Sequence, residues 1–285
     1  MRGERGAFLS VRFFGQHLLE RGLLTPEQLL AAIVLQETRN HKIGVYAQRR
    51  GLLTQEQAEE IATRQRTEDR RFGEIAMELG YLTLAQIDEL VTMQQNDHMY
   101  LGGAIVVLGF LDKEAIEREL AVFKADQARY GMTELALPAN APFAQELSML
   151  VALTQRLALR LCDAECKWGL GMPAPPPPAP RAWTVGIDIS GAVSAVYSLS
   201  CGEPVARRLA RALFRAEAMT LGVDMIHDAF GEFANLVCGN GVALWARQGR
   251  RAELGPPTDG LAPPLGEGYL FPLHFPEGVL DVRVL

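Results

Sequence analysis

One stretch decides how the second half of this chain is interpreted: Asp228-Ala-Phe-Gly-Glu-Phe-Ala-Asn-Leu-Val-Cys-Gly-Asn240. Its apolar residues recur at spacings of three and four, which predicts a helix, and Gly239-Asn240-Gly241 predicts the end of that helix. A carboxylate and a carboxamide side by side suit docking or catalysis, although a solvated polar stripe would have the same spacing. Three polar residues share one face of the predicted helix: Asp228, Glu232 and Asn235.

The composition sets limits on the function. A chain of 285 residues with a formal net charge of −6 can hold one to three domains, and it lacks the basic surface needed for binding to duplex nucleic acid. The sequence shows neither a signal peptide nor an apolar run long enough to insert into a membrane, so we expect a cytoplasmic protein. Its cysteines follow neither a disulfide framework nor a zinc-site spacing: Cys162, Cys166, Cys201 and Cys238.

An internal repeat fills the first half of the chain. Four glycines stand 29 residues apart, and each is followed seven residues later by another glycine. Two apolar residues and a helix-capping sequence come next, of the form Thr-x-x-Gln in three of the copies. This pattern predicts an all-α array of four helix-turn-helix units over residues 10–125. The repeated glycines are Gly15, Gly44, Gly73 and Gly102.

The repeat resembles the MshEN domain, the N-terminal domain of type II secretion and pilus assembly ATPases. The third copy matches the motif of that domain best, through Arg71, Phe72, Gly73, Ala76, Met77, Gly80, Tyr81, Leu82, Ile87, Val91 and Gln94. In such domains a pair of motifs binds cyclic di-GMP, which implies a regulatory nucleotide site in copies two and three. The implied residues are Lys42, Ile43, Gly44, Gln65, Arg71, Phe72, Gly73 and Gln94.

Other copies depart from that motif. The arginine position is Phe13 in the first copy, Lys42 in the second and Tyr100 in the fourth, and the final glutamine becomes Phe123 in the fourth. Lysine keeps the charge of arginine but loses its planar fork. A structural or protein-docking array is therefore the alternative to a nucleotide site. No G-x-x-x-x-G-K-[ST] phosphate loop occurs in the sequence, so a secretion ATPase is excluded.

The second half predicts an α+β domain with helices against one antiparallel sheet. We expect helices over 143–161 and Glu203–Thr220, with Met219 facing inward, in addition to the helix of the opening stretch. Strands are expected near Leu161–Trp168, in a hairpin of Thr184–Ile189 with Val193–Leu199, and at Val242–Arg247, Gly268–Phe275 and Val279–Leu285. The proline-rich run at 173–180 is either an interdomain linker or, as we favour, an internal loop.

This order of elements, with Glu-x-x-Asn on the second of two paired helices and Pro256-Pro257 downstream, resembles the CheX-like domain of the CheC/CheX/FliY chemotaxis phosphatases over residues 138–285. Members of this family hydrolyse the aspartyl phosphate of response-regulator receiver domains. The resemblance implies that Asn235 holds the attacking water, that Glu232 pairs with a lysine of the receiver, and that Asp228 has a supporting role.

The resemblance also has implications for cofactors and partners. The receiver supplies Mg²⁺, and the chain needs no cofactor of its own. Because some family members dimerise, a homodimer is compatible with this interpretation. We therefore expect a receiver phosphatase, regulated by cyclic di-GMP at the repeats. The alternative is a non-enzymatic signalling adaptor, which binds cyclic di-GMP or a protein partner and whose CheX-like domain is inactive.

Overall fold

A computed structural model describes residues 13–128, 137–138, 140–162, 165–173, 183–214, 221–261 and 267–285. The described residues fall into two compact units, one before residue 130 and one after it. We call them the helical region (residues 13–128) and the sheet region (residues 137–285). Among the described helices, none combines the length and the apolar character needed to cross a bilayer.

The helical region alternates short and long helices at a constant spacing of 29 residues. Each short helix ends before a glycine of positive φ, the left-handed backbone that glycine adopts at low energy. Thr25, Thr54 and Thr83 each form the predicted capping box with a glutamine three residues later. The helices are α1 (Phe14–Glu20), α2 (Pro26–Arg39), α3 (Ile43–Arg49), α4 (Gln55–Thr67), α5 (Phe72–Glu78), α6 (Leu84–Asp97), α7 (Leu101–Val107) and α8 (Lys113–Gln127).

The four copies pack as two nested pairs, each with its own apolar core. The inner pair joins copies two and three, because α3 packs on α6 and α4 packs on α5. Its core includes Tyr46, Ile61, Ile75 and Leu90. The outer pair joins copies one and four through α1 with α8 and α2 with α7, around Leu18, Ala32 and Ile105. In both pairs the long helix of one copy lies against the short helix of the other.

The sheet region places three helices beside one antiparallel sheet. Its strands follow the order β1-β7-β8-β4-β3-β5, with β2 paired to β7 and β6 paired to β3. The helices are α9 (Ala144–Cys162), α10 (Glu203–Phe214) and α11 (Val223–Arg247). The strands are β1 (Lys167–Trp168), β2 (Met172–Pro173), β3 (Trp183–Gly191), β4 (Ala195–Cys201), β5 (Ala252–Leu254), β6 (Thr258–Asp259), β7 (Tyr269–Phe275) and β8 (Gly278–Val284).

Strands from both sides of the proline-rich run belong to this sheet. Before the run, β1 pairs with β7 through Lys167 and His274, and β2 pairs with β7 through Met172 and Leu270. After the run, β3 and β4 form the predicted hairpin, which is confirmed by their antiparallel register. The prolines from 174 to 180 lie outside the described residues.

The predicted end of the central helix is wrong. Helix α11 continues through Gly239-Asn240-Gly241 to Arg247, so the strand expected at Val242–Arg247 is helical instead. Gly241 is needed for close packing, since a Cβ there would overlap the side chain of Leu150 on α9. Trp245, fully buried beyond it, extends the apolar face of the helix.

Smaller differences concern element lengths. Helix α9 runs to Cys162, so the strand expected near Leu161–Trp168 is reduced to the two residues of β1. Helix α10 is described to Phe214, and the predicted continuation to Thr220, including Met219, falls on residues outside the described part. The C-terminal strands predicted from residue 268 onwards are present as β7 and β8.

Candidate functional site

Helix α11 presents the predicted catalytic residues to solvent. Asp228 and Glu232 are exposed, and Asn235 is half-buried. Within the described part of the chain, the side chains of Glu232 and Asn235 form no hydrogen bond or ion pair. A carboxylate and a carboxamide, about 4.5 Å apart along the helix axis, are thus left available to an external partner.

The opposite face of α11 fixes the orientation of these residues. Eight of its side chains are buried in the core of the sheet region, where they pack with strands and with α9 and α10. Because interiors are packed like organic crystals, such a face resists rotation of the helix about its own axis. The eight residues are Ile226, Ala229, Phe230, Phe233, Ala234, Val237, Cys238 and Trp245.

The thiol of Cys238 and the hydroxyl of Tyr197, in the core behind the candidate site, stay protonated and are therefore poor nucleophiles. Cys238 on α11 is fully buried, and burial raises the pKa of its thiol. Burial likewise raises the pKa of Tyr197, whose hydroxyl shares a hydrogen bond of 2.7 Å with Thr154. A thiol that stays protonated is a poor nucleophile. The chemistry of this helix therefore lies with its exposed side chains.

A short segment after α11 lies along the same helix. Pro257 packs on Gly231, where a Cβ would lie 3.4 Å from the Cβ of the proline. The segment is tied to β3 at both ends, since Gly255 N–H donates to Asp188 O at 2.8 Å and Gly260 N–H donates to Thr184 O at 2.9 Å. The sequence alone gave no indication of this contact, because a glycine in mid-helix has many explanations.

His227 links the same segment to α11. Its ring lies 4.4 Å from the indole of Trp183 at the start of β3, and its Nδ1 lies 3.6 Å from Oδ2 of Asp259 on β6. The side chain therefore faces the segment and β3, one turn before Gly231. His227 is therefore a structural neighbour of the candidate site.

In the helical region, the inner pair brings predicted nucleotide-site residues together in two groups. Each group combines residues of copy two with residues of copy three. Lys42 and Arg71 are exposed at the N-caps of α3 and α5. Gln94 donates to the carbonyl of His41 at 3.0 Å, next to Lys42, and Gln65 donates to the carbonyl of Arg70 at 3.2 Å, next to Arg71. Each glutamine thus supports the loop of the other copy.

The two groups meet at Gly44 and Phe72. A Cβ at Gly44 would lie 3.3 Å from the ring of Phe72, whereas a Cβ at Gly73 would lie 2.8 Å from Ile87. Copy two has Ala58 where the other copies have a large aliphatic residue, and this small side chain leaves room for the ring. Ile43, the first residue of α3, packs against the core of the inner pair.

A four-residue ion network, which the sequence did not reveal, holds the loop before Arg71. Arg64 binds Glu68 at 2.8 Å and Glu78 at 2.9 Å, while Arg70 binds Glu68 at 3.2 Å and also pairs with Glu78. The hydrogen bond from Arg64 is the main reason that the pKa of Glu68 is lowered, and Arg70 has the same effect on Glu78. Both carboxylates therefore stay ionised at neutral pH.

A metal site built from protein ligands requires several His, Cys, Asp or Glu side chains close together. Among the described residues, no group of three or more such side chains could hold a metal ion. On α11, the exposed groups can accept and donate hydrogen bonds, which suits positioning of water rather than covalent or metal chemistry.

Comparison with known proteins points to the sheet region. The family model of the chemotaxis phosphatase CheX matches residues 183–259, which include the hairpin, α10, α11 and the segment after α11. Among curated proteins, no sequence matches the chain.

Solved structures resemble about half of the chain. CheX from Desulfovibrio desulfuricans is 14% identical, with a TM-score of 0.40, over 50% of this chain and 98% of its own. CheX from Vibrio vulnificus is 17% identical, with a TM-score of 0.43, over 50% and 98%. A CheX–CheY–BeF3–Mg²⁺ complex from Borrelia burgdorferi gives 14% identity, a TM-score of 0.41, and 49% and 96% coverage.

The family model spans the residues that carry the candidate chemistry. Asp228, Glu232 and Asn235 all lie inside the match, as do Gly231 and Pro257. The helical region lies outside it. Residues 183–259 of this chain therefore match the family model of the chemotaxis phosphatase CheX.

Proposed function

We propose that the sheet region dephosphorylates the aspartyl phosphate of a response-regulator receiver domain. The observation that carries the proposal is the pairing of an exposed Glu232 with a solvent-reaching Asn235 on a helix whose other face is locked in the core. The CheX family model over the same residues supports it.

Each residue has a separate task in this reaction. The Asn235 carboxamide accepts a hydrogen bond from the attacking water and donates one to the phosphoryl group, which holds the water in line. Glu232 pairs with a lysine of the receiver and fixes the register of the two proteins. Asp228, one turn earlier and exposed, adds negative charge to the same face.

The receiver contributes the rest of the chemistry. Its Mg²⁺ neutralises the charge that develops on the transferring phosphoryl group, so the helper protein chiefly has to position water. No cofactor of this chain enters the reaction. A locked helix suits that task, because a misplacement of about 1 Å can lower a rate by on the order of 100-fold.

The direct test measures dephosphorylation of a phosphorylated CheY-type receiver domain with and without the full chain. We expect Asn235→Ala to lower the acceleration by on the order of 100-fold without loss of folding. Asn240→Ala is the matched control, because the amide of Asn240 is turned onto the carbonyl of Leu236 at 2.8 Å. Full activity in the Asn235 variant would refute the assignment, and binding without acceleration would favour the adaptor.

The helical region supports a second proposal, which is that cyclic di-GMP binds at the inner pair and regulates the phosphatase. In favour of this, the inner pair presents two exposed cations, Lys42 and Arg71, at loops that Gln94 and Gln65 support in a matching way. Two similar half-sites suit a ligand with two guanines and two phosphates, which cations can bind through charge-assisted hydrogen bonds.

Calorimetry with cyclic di-GMP tests the second proposal independently of the first. Heat of binding in the unaltered chain, lost in Arg71→Ala, would support it. No detectable heat in the unaltered chain would remove the nucleotide site and leave a structural or protein-docking array. The dephosphorylation assay repeated with cyclic di-GMP then shows whether the nucleotide regulates the sheet region.

A further inference from the structure

We propose that residues 255–259 form the second half of the surface on which the receiver domain docks, and that the contact of Pro257 with Gly231 positions this segment. The inference rests on the proposed phosphatase function. It assigns a docking role to Pro256, which is exposed, and a positioning role to Pro257, which is half-buried against α11.

The size of protein interfaces makes this segment part of the contact. A specific interface buries about 800 Å² per partner, a patch of roughly 16 Å in radius. Gly231 precedes Asn235 by four residues, or about 6 Å along the helix. A receiver whose phosphoaspartate reaches Asn235 therefore also covers Gly231 and the segment packed on it.

The segment is held before any partner arrives. Thr258 and Asp259 pair with Gly186 and Val185 of β3, in addition to the hydrogen bonds that tie Gly255 and Gly260 to the same strand. Two consecutive prolines further restrict the backbone. A surface ordered in advance loses little conformational entropy on binding, so it adds affinity where a flexible loop would not.

The chemistry of the surface is consistent with a receiver as its occupant. Pro256 offers an uncharged contact, flanked by carboxylates on both elements: Asp228, Glu232 and Asp259 are all exposed. Such a face complements a partner that carries a lysine beside its phosphorylation site, the same lysine to which Glu232 is assigned above. We therefore expect the segment and α11 to contact one continuous face of one receiver.

The test uses the full chain and a CheY-type receiver domain, with binding measured on the receiver held active by beryllofluoride and Mg²⁺. Pro256→Asp changes an exposed side chain and leaves Pro257 in place. We expect it to weaken binding and raise KM by about tenfold, with kcat within about twofold. An effect confined to kcat would contradict a docking role for Pro256.

Gly231→Ala tests the positioning contact apart from stability. The added methyl group pushes Pro257 away, because it would lie 3.4 Å from the proline Cβ, while alanine favours the helix. Affinity should fall by about threefold, a modest loss in proportion to a shift of a few tenths of an ångström, with the thermal midpoint unchanged or raised. Gly103→Ala on α7 is the control, since its nearest neighbour is Met99 at 3.9 Å.

The possible results distinguish failure of the docking role of residues 255–259 from failure of the proposed phosphatase function. If the unaltered chain binds and dephosphorylates the receiver, and both Pro256→Asp and Gly231→Ala behave as the unaltered chain does, the inference is refuted and the phosphatase remains. If the unaltered chain neither binds nor accelerates dephosphorylation, the proposed function fails and the inference fails with it. Weaker binding accompanied by a lower thermal midpoint in Gly231→Ala would also contradict a positioning role.

Discussion

The inner and outer pairs of helical copies share one backbone arrangement and differ in the side chains at their loops. At four equivalent positions the inner pair has Lys42, Gln65, Arg71 and Gln94, whereas the outer pair has Phe13, Gln36, Tyr100 and Phe123. Phe13 and Phe123 are buried, and the ring of Phe123 lies 5.5 Å from those of Phe14 and His17. The outer pair fills the region of Phe13 and Phe123 with aromatic side chains, whereas Tyr100 is exposed.

The fold itself therefore does not require the polar residues Lys42, Arg71 and Gln94 at these positions. Both pairs have a buried apolar core and the same short and long helices, although only one pair has cations at its N-caps. A ligand of the inner pair is the explanation that the nucleotide proposal offers.

The largest expected effect is on ligand affinity. Arg71→Ala removes a planar, exposed guanidinium from the inner pair, and loss of hydrogen bonds from a charged donor should weaken cyclic di-GMP binding by about 10- to 100-fold. The equivalent change in the outer pair, Tyr100→Ala, should have no effect. Calorimetry on both variants checks the comparison, and equal losses would show that the pairs are not functionally distinct.

The next effect concerns packing within the inner pair. A Cβ at Gly73 meets the branched side chain of Ile87 at 2.8 Å, whereas at Gly44 it meets the edge of the Phe72 ring at 3.3 Å. We expect Gly73→Ala to lower the free energy of unfolding by about 1–2 kcal/mol, since overpacking outweighs the gain in helix propensity. Gly44→Ala should be within about 0.5 kcal/mol of neutral. Urea denaturation measures both, and a reversed order would contradict the packing argument.

A gain of affinity is expected from a change at residue 42. Lys42→Arg gives the second copy the planar donor that the third copy already has, so cyclic di-GMP binding should tighten by about threefold. Phe13→Arg is the matched test in the outer pair and should create no binding, because the aromatic side chains already occupy that region. Titration calorimetry distinguishes these results, and unchanged affinity in Lys42→Arg would argue against a role for residue 42.

The smallest effect is a pH dependence of the inner pair. The pKa values of Glu68 and Glu78 are lowered by Arg64 and Arg70, so the network stabilises the fold at pH values above the ordinary glutamate pKa. This stabilisation is lost as the pH falls below that value and the carboxylates take up protons. Protection of the α4 and α5 amides, measured against the intrinsic exchange rate at each pH, should therefore fall between about pH 5 and pH 3. Glu78→Gln should remove part of that dependence, and an unchanged profile would exclude the network as its source.

Prediction from sequence succeeded where local chemistry sets the boundaries. Thr54 and Gln57 cap α4 through contacts three residues apart, and Gly51 ends α3 through its own positive φ of 66°. Both depend on neighbours in the chain. The helix starts in the helical region could therefore be read directly from the order of residues.

Prediction from sequence failed where contacts between residues far apart in the chain determine the local structure. Gly241 resembles a helix terminator in the sequence, yet Leu150 on another helix requires a residue without a side chain at that point. The contact of Pro257 with Gly231 and the network of Arg64 with Glu78 likewise join separate elements. For the candidate site, the spacing of Glu232 and Asn235 was enough to place them on one face of a helix. The segment beside them could not be predicted.

The nesting of the pairs implies an order of assembly as the chain leaves the ribosome. Copies two and three can pack against each other first. His17 of copy one cannot form its 3.0 Å contact with Glu119 until copy four has been synthesised. Strand β1 pairs even later, because Lys167 pairs with His274, which is synthesised 107 residues after it. Because domains generally fold from the N-terminus during synthesis, the helical region is complete while the exposed edges of the sheet region still lack β7 and β8. Newly made chains that stall before residue 269 would therefore be the ones most prone to aggregate.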